Sequence, residues 1–182
     1  SYLQGMEDAT AEVITRQQCR TVIDGCDLTW DFHLGDFPSL MRDAAPTAFP
    51  SPDAIMFDAF SPKRCPEMWT THLFHHMVCR LDPTRPCALS TSSRSTMART
   101  AMLEARLFVG KGGKTGGTTF GMKEQTTVAA THLELLSLPL EASWLGTVQR
   151  STAAEPLRGG IYVREAAREE TLQRLRKHPQ FQ

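Results

Sequence analysis

Two aspartates stand where a sheet-based binding protein would place an acid. Asp36 follows the run Leu28 to Leu34 (LTWDFHL) across Gly35, and Asp58 directly follows Asp53 to Phe57 (DAIMF). In an open parallel sheet, ligands bind beyond the carboxyl ends of the strands, and a carboxylate there can accept hydrogen bonds from a ligand's amino groups. An aspartate at such a point also serves to cap a helix or turn a loop. The stretch Phe57 to Thr70, FDAFSPKRCPEMWT, is the most distinctive in the chain. Pro62 and Pro66 restrict its backbone, Pro66 also suits the first turn of a helix, and Met68 and Trp69 bring apolar bulk to that helix's start. A rigid loop beside an acid can wall a small-molecule pocket. The plainer reading is a strand-to-helix connection with Trp69 packed in the core.

Other signals carry less chemistry. Gly110 to Thr119 (GKGGKTGGTT) suggests a phosphate loop, but the first glycine that a nucleotide-binding loop needs would fall at Phe108, so the spacing fails. The stretch reads as a flexible loop whose Lys111 and Lys114, with Lys123 beyond it, could touch RNA phosphates. His72 and His76 share a helix face near His75 and Cys79, yet Leu73, Phe74 and His75 stand between them and no HEXXH is formed, so no metal is expected. Ser92, Ser93 and Ser95 lack the G-x-S-x-G turn of a nucleophile and read as loop and capping residues. Glu155 to Gly160 (EPLRGG) is a compact turn.

The elements that must position these residues alternate. Tyr2 to Gln18 has a loose helical pattern, and Leu28 to Leu34 alternates apolar and polar residues in the manner of a strand. Phe37 to Arg42 reads as a short helix, and Asp53 to Phe57 as a strand covered on both faces. A helix opens near Pro66 and runs to about Leu81. Cys87 to Thr91 is a strand, Arg94 to Ala105 a helix and Leu107 to Val109 a strand. Gly110 to Gly121 holds six glycines in twelve residues, a turn or loop. Thr126 to Thr131 is the last strand, Leu133 to Val148 is helical, and the charged tail from Arg164 is a surface helix. Strands alternating with helices predict an α/β fold with a mostly parallel sheet. Residues 1–150 are taken as one domain and 151–182 as a C-terminal extension, a turn plus a charged helix.

The chain has 182 residues, 41% of them hydrophobic, and its twenty basic and twenty acidic side chains cancel. That is enough apolar material for one core. It leaves no net field to draw the protein to nucleic acid or a membrane, so any RNA must be held by a local patch. Five cysteines without a CxxC pair argue against a disulfide framework and a structural zinc site and for a reducing, cytoplasmic setting. Ser1 to Ala11 reads as a helix already under way, so the chain is expected to be a piece of a longer one.

The residues Asp58-Ala59-Phe60-Ser61-Pro62, then Pro66-Glu67-Met68-Trp69-Thr70, resemble the D-(G/A)-F-(A/S)-P…P-(E/D)-(M/L)-W loop of the MnmC-like methyltransferases. Leu34-Gly35-Asp36 is similar to their L-G-D element. Thr91 to Arg94 and Gly121-Met122-Lys123-Glu124 are similar to their final segment. The likeness runs in the same order over residues 28 to 130. It departs at Cys65, where the family usually has Asn.

The resemblance implies a Rossmann-like methyltransferase sheet and transfer of a methyl group from S-adenosyl-L-methionine to an amine, 5-aminomethyl-2-thiouridine at the tRNA wobble position. By position, Asp36 would meet the adenine amino group. Asp58 would lie near the transferred methyl as general base or orienting acceptor for the amine, with Phe60 and Pro62 also at the cofactor and Trp69 and Lys123 at the substrate. The family's first strand, with its glycine-rich turn, and its second, ending in the ribose-binding acid, do not precede Asp36. In the family's topology they lie in the middle of the sheet, between the strands ending at Leu34 and Phe57. This chain alone is therefore expected to leave the sheet incomplete and to bind the cofactor poorly. The rival readings are a non-catalytic, degenerate methyltransferase-fold module that binds RNA or protein, and the aminopropyl transfer of spermidine-synthase-like folds.

Overall fold

The computed structural model describes residues 15, 17–45, 47–112 and 126–182. The chain divides into two compact units, Ser1–Asp36 and Phe37–Gln182.

In the first unit, β1 (Gln18–Ile23) and β2 (Cys26–Asp31) pair antiparallel over their whole length. Asp24 and Gly25 make the turn with φ of 51° and 80°, the left-handed pair that a two-residue hairpin demands and that Asp-Gly supplies at least cost. The strand expected at Leu28 to Leu34 therefore stops at Asp31, and its partner is an upstream strand rather than a parallel neighbour. The alternation of Leu28 and Trp30 does not bury one face, because every residue of β2 is exposed. The helix expected over Tyr2 to Gln18 falls almost wholly outside the described residues, and Gln18 itself opens β1.

The second unit is α/β. Its elements are α1 (Phe37–Asp43), β3 (Ala54–Met56), a 3-10 turn (Pro66–Trp69), α2 (Thr71–Val78), β4 (Ala88–Thr91), α3 (Thr96–Glu104), β5 (Phe108–Lys111), β6 (Thr127–Ala130), α4 (Trp144–Arg150) and α5 (Glu169–Arg176). The strands order β3-β4-β6-β5. Helical crossovers bring β4 back parallel to β3 and β5 back parallel to β4, while β6 returns between β4 and β5 and pairs antiparallel with both. The sheet is thus mixed, with one parallel pairing of three, because a strand that returns directly beside its predecessor can only run against it. The core joins Phe57, Trp69 and Phe74 from the first crossover to Met97, Met102 and Leu103 of α3 and Val148 and Leu175 of the last two helices.

Two further expectations differ from the structure. β3 is an edge strand in this sheet, and Met56 is 90% exposed, so the strand is covered on one face only. Leu133 to Val148 is not one helix but a short 3-10 turn (Leu133–Leu135), then extended chain, then α4. The extended piece seals the outer edge of β5: Lys111 N donates to Leu138 O at 2.8 Å and Leu140 N to Val109 O at 2.9 Å. Pro139 sits at the bridge with Gly110. A Cβ on Gly110 would lie 2.7 Å from Leu138 O, so this close approach needs glycine.

Residues 151–182 contribute to the same core. Leu157, Leu172 and Leu175 are buried, and Glu155 accepts from Arg168 N and Thr171 Oγ1 at 2.9 and 3.1 Å. At the end of α3, Glu104, whose side chain is 3% exposed, takes hydrogen bonds at Oε1 from Arg174 Nε (2.7 Å) and Arg158 Nη2 (3.1 Å). Arg158 Nη1 lies 2.7 Å from Glu104 Oε2, in ionic contact but off the line of a hydrogen bond. Gln180 completes the seal on β5: its Oε1 accepts from Val109 N and its Nε2 donates to Val109 O and Leu140 O.

That last turn holds a buried titratable group. His178 is buried, and its Nδ1 accepts from Gln180 N at 3.2 Å. Burial first, and the Arg106 charge second, hold its pKa below the usual histidine value. Because the folded pKa lies below the unfolded one, the stabilisation is fully present above about pH 6.5 and declines as pH falls from there toward the folded value. His178→Asn supplies a non-titrating acceptor at the same place. Its melting temperature should fall less than wild type between pH 7 and 5, and parallel pH profiles for the two proteins would refute the linkage.

Candidate active site at the carboxyl rim

Since β3 and β4 run the same way, the loops after them leave the sheet at one rim. Asp58 stands two residues past β3, exposed, and Ser92 follows β4 directly. The two meet there: Ser92 Oγ donates to Asp58 Oδ1 at 3.5 Å, the outer limit of a hydrogen bond. Among the described residues no hydrogen bond engages Asp58 Oδ2.

The loop that presents Asp58 is held from beneath. Phe57 N donates to Ser90 O at 2.8 Å, and the Phe57 ring meets Trp69 edge-on with centroids 5.2 Å apart. Trp69 is 1% exposed, and its indole N–H donates to Phe60 O at 2.7 Å. The tryptophan expected at the substrate thus lies under the loop and fixes its path, the plainer of the two readings of that residue. Arg64 N and Cys65 N both donate to Ser61 O, closing the turn before Pro66 opens the 3-10 helix. Thr70 then caps α2 through Leu73 N at 3.1 Å. Phe60 projects outward, 66% exposed, and Pro62 is half-buried in the same turn.

Sequence reading missed a second support. Arg99, on α3, is buried, yet no carboxylate pairs with it among the described residues. Its Nε donates to Thr127 Oγ1 at 2.9 Å and its Nη2 to Thr126 O, while Thr127 Oγ1 donates to Ser93 O at 2.6 Å. Burial, then the nearby Arg94 charge, lower its pKa. This latch ties the start of β6 to the turn after β4 that carries Ser92. No local pattern announces it, because its members lie 28 and 34 residues apart.

The remaining expected site residues are placed as follows. Asp36 is exposed, five residues beyond the end of β2, in the first unit. Lys111 ends β5 and lines an open cleft of about 640 Å³ with Glu141 and Trp144. Lys114, Lys123 and the Gly121 to Glu124 segment lie outside the described residues. His72, His75, His76 and Cys79 gather no metal-binding group: among the described residues no cluster of three potential ligands occurs. No helix among them is long and apolar enough to cross a membrane.

S-adenosyl-L-methionine carries a positive sulfonium, an amino group and a ribose. The rim fits the first two, since Asp58 presents an exposed carboxylate with a hydroxyl beside it.

An α/β sheet with an acid held at its carboxyl rim is the architecture of a ligand-binding or group-transfer domain. A profile of the S-adenosyl-L-methionine-dependent methyltransferases matches residues 4–132, and the chain belongs to that family. It is 32% identical over 117 residues to the tRNA 5-methylaminomethyl-2-thiouridine biosynthesis bifunctional protein MnmC of Hahella chejuensis, covering 64% of this chain and 17% of that protein. The fold is that of MnmC2 from Aquifex aeolicus, whose crystal structure superimposes with a TM-score of 0.59 over 94% of this chain and 48% of that one, at 24% identity. The chain therefore spans only a sixth of the curated relative and half of the solved one.

Proposed function

We propose that this chain is the C-terminal part of the catalytic domain of an N-methyltransferase that uses S-adenosyl-L-methionine and acts on an amine of tRNA, 5-aminomethyl-2-thiouridine at the wobble position. The observation that carries the reading is the exposed Asp58 carboxylate on a loop pinned by Trp69 at the carboxyl rim. The likeness to MnmC supports the tRNA amine over other acceptors.

When bound, S-adenosyl-L-methionine supplies an electrophilic methyl group. The protein's part is to prepare the nucleophile. An amine is protonated near neutral pH and has no lone pair to attack with until that proton leaves. Asp58 Oδ2 is open to receive it, while Ser92 holds Oδ1. The same carboxylate fixes the nitrogen's direction, and orientation is a large part of what a bimolecular transfer requires. Pro62 is proposed to line the cofactor side of the loop.

The test is transfer of a tritiated methyl group from S-adenosyl-L-methionine to tRNA that carries the unmethylated aminomethyl group. The full-length gene product should label the wobble uridine. Absence of label on that tRNA, with a folded protein, would favour the non-catalytic module.

A further inference from the structure

The chain is electrically neutral as a whole, but its charges are not evenly spent. In the second unit the acids Asp43, Asp53, Glu104, Glu155, Glu165 and Glu169 are each engaged by an arginine away from the rim. At the rim the balance reverses. Lys63 and Arg64, after β3, and Arg94, after β4, make no ion pair among the described residues, and all three are exposed. The acids of the same loops are Asp58, which the proposed chemistry uses, and Glu67, half-buried in the 3-10 turn.

Between the cations stands Phe60. The Arg64 guanidinium carbon lies 5.1 Å above the Phe60 ring centroid, a cation-π pair, and the ring still keeps 66% of its surface in solvent. The ring is held in this outward position with one face under the Arg64 guanidinium, a ready-made stacking surface. The loop's backbone is pinned by Trp69 Nε1 and by the turn at Ser61. Pro62 and Pro66 remove further freedom, so little order remains to be gained on binding.

We propose that Phe60, Arg64 and Lys63 form the platform for the acceptor RNA: a base of an unpaired loop stacks on Phe60, and the two cations meet the adjoining phosphates. Aromatic rings interleaved with cations are how proteins hold single-stranded RNA, because every base has a face to stack and every linkage a charge to neutralise. The platform begins two residues from Asp58, so a nucleotide held there keeps a neighbouring base within reach of the carboxylate. The assignment rests on the RNA-amine reading of the site. It gives Phe60 to the acceptor rather than to the cofactor, as the family resemblance had suggested.

The test uses the full-length protein, an unmodified anticodon stem-loop RNA as probe in fluorescence anisotropy, and calorimetry with S-adenosyl-L-methionine. Phe60→Ala should weaken RNA binding roughly tenfold. Lys63→Gln and Arg64→Gln should each reduce the slope of log affinity against log salt by about 0.7. S-adenosyl-L-methionine affinity and melting temperature should be unchanged in all three, and Phe60→Trp should restore RNA binding. RNA affinity equal to wild type in the variants would overturn the platform while leaving the methyltransferase reading intact. A parallel loss of cofactor affinity would return Phe60 to the cofactor. If the wild-type protein does not bind the RNA, the platform falls, and the labelling of aminomethyl tRNA separately decides the methyltransferase reading.

Discussion

Asp58→Asn should lower kcat for methyl transfer by roughly a hundredfold to ten-thousandfold, the range lost with a positioned general base, while the protein melts as wild type does. Asparagine keeps the shape and can still take the Ser92 hydrogen bond, but it cannot receive a proton. The fold should not notice, because the side chain is exposed and its described hydrogen bond is a 3.5 Å contact, and surface changes of that kind stay within about 0.5 kcal/mol. Raising the pH should recover part of the lost rate, since a larger share of the amine is then already free. Ser92→Ala should have a smaller effect of the same sign, removing orientation and not the base. Turnover by Asp58→Asn equal to wild type, measured with saturating cofactor, would remove Asp58 from the reaction.

Ending the chain after Arg150 should abolish cooperative folding of the second unit. The lost segment carries Leu157, Leu172 and Leu175, all buried, each contributing about 1.5–3 kcal/mol. It also carries Arg158 and Arg174, the ion partners of Glu104. A buried carboxylate stripped of its partners costs about 3–5 kcal/mol more. Together these amount to about 7.5–14 kcal/mol, as large as the roughly 5–15 kcal/mol that holds a typical domain folded. Loss of Gln180 would further reopen the β5 edge at Val109, and loss of Phe181 would uncover the face of Trp144 on which it stacks. A cooperative thermal transition near the wild-type temperature in the truncated chain, followed by circular dichroism, would show the segment to be dispensable. Leu175→Ala is the milder check, expected to cost about 2–5 kcal/mol in denaturant unfolding.

The truncation bears on how far the tail belongs to the methyltransferase fold. The family profile ends at residue 132, yet the compact unit runs to Gln182. Leu157 pairs with Thr70, at the mouth of α2, and Leu157 O accepts from Thr71 N at 3.0 Å. The turn Glu155 to Gly160, without a purpose in the sequence, therefore braces the helix that follows the Asp58 loop. Removing the tail would loosen the site as well as the core.

The sequence by itself determined the pieces whose cause is local. The helices at Phe37, Thr71 and Thr96, the strands at Ala54, Ala88 and Thr127, and the proline-restricted loop between Asp58 and Trp69 all follow from periodicity and turn chemistry within a dozen residues. Only the tertiary structure decided that Trp69 lies beneath that loop with Phe60 above it, that Leu138 to Leu140 line a strand instead of continuing a helix, and that Glu104 is buried between two arginines. Arg158 and Arg174 stand 54 and 70 residues from Glu104, and Gln180 stands 71 from Val109. Hydrogen bonds and burial at such separations leave no periodic trace in the chain, because they depend on where distant segments arrive once the sheet has formed.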